Sequence, residues 1–185
     1  MKNTKINPED FVFKYTFKGL FWIGLGTLFV TVVIFVGGVT IWNFVSIPYR
    51  GIGDVLEMIR ETFALLPGQI IYGVLITLIL IYPVMLIPFF FSTMTLVEWL
   101  KNNWKASRLS PRNAQRTGAI AGGLAGAVVI LLRVKVFPVW PMVWTYIFYN
   151  DAFKVIFWIT IYTLPITGAL VSSYFGKTTA ERLLT

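Results

Sequence analysis

The sequence predicts an all-α membrane protein, a bundle of about four transmembrane helices with interfacial segments between them. Three observations lead there. The chain is 57% hydrophobic and 13% charged, against roughly 25% charge in an ordinary soluble domain. Four long runs contain no Asp, Glu, Lys or Arg. The basic residues, finally, are distributed unevenly among the segments that separate those runs.

The first run follows Lys18 and ends before Arg50, predicting a helix near 20–46. Crossing the hydrocarbon takes about 20 apolar residues. This apolar core is far longer than the roughly 7–15 residues of a signal-peptide core, and no A-x-A site follows, so it reads as a retained helix. The next stretch, IGDVLEMIRETFALLPG, reads as a short interfacial helix over about 53–66. Asp54 and Glu57 make a start resembling a capping box. Val55, Ile59, Phe63 and Leu66 fall near one face, suited to headgroups or to a docking partner. Pro67-Gly68 is expected to end it.

The second span is expected at 69–97, with Pro83 and Pro88 inside IYPVMLIPFFF. Each proline removes a backbone hydrogen bond and crowds the preceding turn, so the helix should kink there, as a packing device or a hinge. The loop KNNWKASRLSPR follows. Its Lys101, Trp104, Lys105, Arg108 and Arg112, with Arg116 one turn on, suit anionic headgroups or an acidic protein surface. Ser110-Pro111 is a good N-cap and first helical residue for the third helix.

The third span, 117–135, opens on TGAIAGGLAGAVVILL. Gly118, Gly122 and Gly126 recur every four residues and so share one helix face. Each glycine costs about 1 kcal/mol relative to alanine in a helix interior, and lipid gains nothing from the resulting groove. A neighbouring helix does, because small residues let two backbones approach closely. The chain offers its own partners: Gly24, Thr31 and Gly38 on the first helix, and Gly168 and Ser172 on the fourth. Packing within the chain is therefore expected first, and a contact between chains second.

Segment 137–150 carries Trp140, Trp144, Tyr146 and Tyr149, interrupted by Pro138 and Pro141. It reads as an aromatic interfacial or shallow re-entrant element. The fourth span is expected at 155–175. Beyond it, FGKTTAERL contains the G-K-T of a phosphate-binding loop. That pattern also needs a glycine five residues before Gly176, where Val171 stands, and a preceding strand. Gly176 is expected instead to be the C-cap of the fourth helix.

Four crossings put the first, third and fifth connecting segments on one side, with four, five and two basic residues. The other two segments carry two and three. Basic residues favour the cytoplasmic side, so both termini are expected there, in a bacterial inner membrane or an organellar equivalent. The net charge of +8 follows from the same rule and does not call for nucleic acid.

With no Cys and no His in the chain, thiolate and imidazole ligands and nucleophiles are excluded. No ionisable residue lies well inside a predicted span, as proton or ion pathways usually require. Thr77, Thr93, Thr95, Thr160, Thr163 and Thr167 are the residues that would line a polar path. A lipid-modifying enzyme would have only Asp54, Glu57, Glu61 and Asp151 on the outer side, and they form no known motif. The sequence thus points to a non-enzymatic integral subunit that packs into and stabilises a larger membrane complex. The alternative is a self-assembling channel or small-solute permease. The expected partners are membrane lipids and other integral subunits or copies of the same chain. No cofactor is expected beyond structural lipid.

A cysteine placed at Lys2, Ser107 or Thr185 should react with an impermeant thiol reagent only from the cytoplasmic face. Reaction from outside would reverse the topology.

Overall fold

The computed structural model describes residues 7–46, 51–136 and 151–185. Within them the chain is helical throughout, joined by short connections. The helices are α1 (Pro8–Ser46), α2 (Ile52–Ile76), α3 (Tyr82–Lys105), α4 (Pro111–Val136) and α5 (Asp151–Leu184). One π-helical turn, Thr77–Ile81, joins α2 to α3. Among the described residues, five stretches are long and apolar enough to cross a membrane: Pro8–Trp42, Gly53–Ile79, Tyr82–Lys105, Pro111–Leu132 and Val155–Leu184. The chain is an all-α membrane protein. Segment 137–150, expected to be interfacial, lies outside the described residues.

The second and third of these stretches belong to one continuous helical run. The register against α1 shows it. The Phe11 ring stacks on Trp104, Gly24 faces Tyr82, and Gly73 faces Phe35. Moving up α1 therefore means moving steadily down α3 and then α2. The expected break at Pro67-Gly68 does not occur: α2 passes through Pro67, and residues 53–66 are the first part of α2 rather than a separate element. A proline inside a helix costs one hydrogen bond and crowds the carbonyl four residues earlier, but it does not force reversal. Pro83, by contrast, stands just after the π turn, second in α3. Widening the helix to i→i+5 bonding relieves the crowding between the proline ring and the carbonyl of Ile79.

Helices α1, α3, α4 and α5 form a four-cornered bundle. In cyclic order each is packed against the next, and α3 and α5 also touch across the diagonal. Neighbours around the ring run antiparallel. The start of α1, the turn between α3 and α4, and the end of α5 consequently gather at one end of the bundle. The centre is filled by large apolar chains: Phe89, Phe157, Leu96, Leu100 and Leu164 are no more than 1% exposed. α1 has 39 residues, about 58 Å at 1.5 Å per residue, nearly twice the roughly 30 Å of hydrocarbon. Its first turns, with Glu9, Asp10, Lys14 and Lys18, therefore project beyond the apolar slab alongside the last turns of α5 and the first of α4.

The α3–α4 turn closes tightly. The Arg108 amide donates to the Asn103 carbonyl (2.9 Å) and the Ser107 amide to the Trp104 carbonyl (3.0 Å). This is the paired bonding of a Schellman cap, with Ser107 at its left-handed position (φ 53°). α4 then starts at Pro111, and the Ala114 amide donates to the Ser110 carbonyl (2.9 Å).

Left-handed geometry strains any residue with a Cβ but not glycine. Ser107→Gly is therefore expected to stabilise the protein by about 1 kcal/mol, the left-handed strain less glycine's entropy cost, read as a later midpoint in chemical unfolding in detergent. An earlier midpoint would contradict the cap.

Candidate functional site

The closest backbone contact in the bundle joins α4 to α5. It follows from small residues placed four apart on both helices. A Cβ added to Gly118 would strike the Ser172 carbonyl, with its carbon 2.8 Å away. One added to Gly122 would strike the Gly168 carbonyl and the Ser172 hydroxyl. At Gly126 it would lie 2.5 Å from the Pro165 nitrogen and 2.6 Å from the Leu164 carbonyl. One turn in the other direction, a Cβ on Gly176 would lie 2.6 Å from the Ala114 carbonyl oxygen. Each step of four up α4 thus meets a step of four down α5, from Ala114–Gly176 to Gly126–Leu164. The seam is about 18 Å long at 1.5 Å per residue, more than half the hydrocarbon thickness.

Its chemistry is that of backbone against backbone. The hydrogen that takes the Cβ position on Gly122 points at the Gly168 carbonyl oxygen. Contacts of this Cα–H···O kind recur between closely packed helices and contribute about 0.5–1 kcal/mol each. Gly168 is close-packed on two sides, because the Phe89 ring of α3 would lie 2.8 Å from a Cβ placed there. Gly123 stands aside from the seam: its nearest neighbours, Ala169 and the Pro165 carbonyl, would be at an ordinary 3.6 Å.

On α1 the small residues divide between two neighbours. Gly24 faces the Tyr82 ring of α3, whereas Gly38 faces Ile156 of α5, 2.9 Å from a notional Cβ. Thr31 is buried at 1% exposure. Two further close approaches were not apparent in the sequence. Gly19 lies against Thr93 and Phe175, and Gly26 against Val171. Gly176 corrects an expectation. It is not the C-cap of the fourth helix, since α5 continues to Leu184. The helix leaves the membrane without ending, and the glycine serves the seam instead.

The threonines that would line a polar path are spent locally. The hydroxyls of Thr77, Thr93, Thr95 and Thr160 each donate to the carbonyl four residues earlier, at 2.7–2.9 Å. Thr163 and Thr167 donate to carbonyls three residues earlier. This back-bonding satisfies the hydroxyl within its own helix. Among the described residues no group of three or more Asp or Glu side chains is placed to hold a metal ion.

The basic residues of the α3–α4 region gather at the end of the bundle that carries the described start of α1 and the end of α5. Lys105, Arg108, Arg112 and Arg116 are exposed and Lys101 is half-buried. Trp104 is less available, because its ring stacks on Phe11 at 5.8 Å between centroids. Of the two prolines considered as hinges, Pro88 is buried within α3 while Pro83 is exposed beside the π turn.

Gly122→Ala should destabilise the protein by about 1–3 kcal/mol, the usual cost of overpacking, and Gly122→Leu by more. Gly123→Ala should be neutral or stabilising, since its Cβ has room and alanine favours helix. Unfolding of purified variants in detergent measures both; equal effects at the two positions would refute the seam's one-sidedness.

Compared with known proteins, the chain matches no family model, no curated protein and no solved structure.

Proposed function

We propose that this chain is a non-enzymatic integral membrane subunit that packs into, and stabilises, a larger membrane protein complex. The observation that carries the reading is how much of the apolar surface of α2 the other described helices leave uncovered. Among the described elements α2 packs on α1 and on the π turn that continues it, while the other four helices enclose one another. Only 18% of its apolar stretch is buried. Leu56, Phe63, Leu65, Ile70, Ile71 and Leu75 are all exposed on it. The exposed apolar face of α2, running along α1, is a suitable surface for a second integral protein, where close packing replaces contact with lipid.

The self-assembling channel is the weaker reading. The candidate path threonines bond within their own helices, and the bundle centre is filled with Phe and Leu side chains.

A photo-crosslinking residue at Phe63 or Ile71, in protein purified from native membranes without overexpression, should capture one or two fixed polypeptides. The same probe at Leu131, on the outer face of α4, should capture lipid only. Capture of lipid alone from α2 would sink the subunit reading. Capture of the chain's own copies, together with ion leakage in liposomes, would replace it with the channel.

A further inference from the structure

A groove of 780 Å³ runs between α1 and α5 on the outer surface of the bundle. No residue of the glycine seam, the α3–α4 turn or α2 lines it. We propose that it binds one anionic glycerophospholipid, with the phosphate held by Lys18 and Arg182 and the acyl chains lying in the apolar trough below.

The groove is graded along its length. At the end shared with the α3–α4 turn it is lined by Lys18, Arg182 and Tyr15. Towards the bundle's middle it is lined by Leu25, Phe29, Val30, Leu170 and Val171. From Lys18 to Phe29 is eleven residues, about 16 Å along the helix at 1.5 Å per residue. That is close to one leaflet, half of the roughly 30 Å hydrocarbon core. A cationic mouth at headgroup depth above an apolar trough one leaflet long matches a phospholipid in both charge and length. A free phosphate would use only the mouth.

The two cations are available and positioned. Both are exposed. Neither is in an ion pair among the described residues; the pair at this end joins Lys177 to Glu181 at 3.9 Å. The Lys18 ammonium sits 5.8 Å from the centre of the Tyr15 ring, which holds a cation by its π face. Tyr15 is in turn stacked on the buried Phe11 at 4.6 Å. The trough's floor depends on Gly26, where an added Cβ would lie 2.7 Å from Val171. Without that glycine the two helices could not close beneath the lipid. Trp22 and Tyr174 flank the groove as half-exposed or exposed rings, the residues that gather at headgroup level.

The test uses the full chain, purified in detergent, stripped of lipid and offered phosphatidylglycerol or phosphatidylcholine, with retained lipid counted by native mass spectrometry. The unaltered protein should retain one phosphatidylglycerol, at least tenfold in preference to phosphatidylcholine. Lys18→Gln with Arg182→Gln should abolish that preference. Lys14→Gln with Lys177→Gln, which removes the same charge from the same end at residues that do not line the groove, should keep it. Leu170→Trp should reduce retention of both lipids by filling the trough while leaving both cations in place. The proposal is overturned if the Lys18/Arg182 variant, shown to be monodisperse and helical, still prefers phosphatidylglycerol. It is also overturned if the Lys14/Lys177 variant loses the preference equally, which would mean diffuse attraction. Displacement of bound phosphatidylglycerol by an equal concentration of inorganic phosphate would assign the site to the free anion and overturn the lipid assignment.

Discussion

The contact of the α4 backbone with the α5 backbone governs the architecture. In lipid, helices gain little by hiding apolar side chains from one another, since the tails are as apolar as leucine. What distinguishes one arrangement from another is how closely the surfaces fit. Here the fit is made where side chains are reduced to hydrogen, at Gly118, Gly122 and Gly126 against Ser172, Gly168 and Leu164. Once these two helices are locked in register, Gly168 also presents a flat surface to Phe89, which brings α3 in across the diagonal. α1 then closes the ring through Gly38 against Ile156 and Gly24 against Tyr82.

The same constraint explains the contrast between the closed bundle and α2. Four helices exchange contacts with two or three neighbours each. α2 continues the line of α3 through a π turn and packs on α1, where Gly73 meets Phe35 and Val36. The run from Ile52 to Lys105 is about 81 Å long at 1.5 Å per residue, so the first turns of α2 reach past the roughly 30 Å of hydrocarbon, and among the described residues its outer apolar side chains are left uncovered. The subunit reading uses that surface, and the lipid groove uses a different one: α1 and α5 are held together by small residues at Gly26 and Gly38, while their large outer side chains leave a trough between them.

Much of this was legible in the sequence because the relevant signals are local. Charge-free runs long enough to span, Ser110-Pro111 at the head of α4, and glycines at a spacing of four each carry their meaning within one or two turns. The misreadings arose where a local signal was outweighed. Pro67-Gly68 resembles a helix terminator, yet the helix continues because the hydrogen bonds on either side of the proline remain. Gly176 resembles a C-cap because charged residues follow it. Those charges mark the membrane boundary rather than the end of the helix, which runs on for two more turns in the polar region. Gly19 and Gly26 were missed because they lie off the stripe formed by Gly24, Thr31 and Gly38. Nothing in the sequence of α1 indicates that it has close neighbours on two sides.

The sequence by itself determined that the chain is helical, apolar enough for the membrane and equipped with a smooth face on α4. Each of these depends on residue type and on a helical period that any neighbour would leave unchanged. Only the tertiary structure decided which helix meets that face, that α2 and α3 form one run along α1, and that Lys18 and Arg182, 164 positions apart, stand at the mouth of one groove. Pairings between distant segments rest on the fit of two surfaces at once, and a linear pattern describes only one of them.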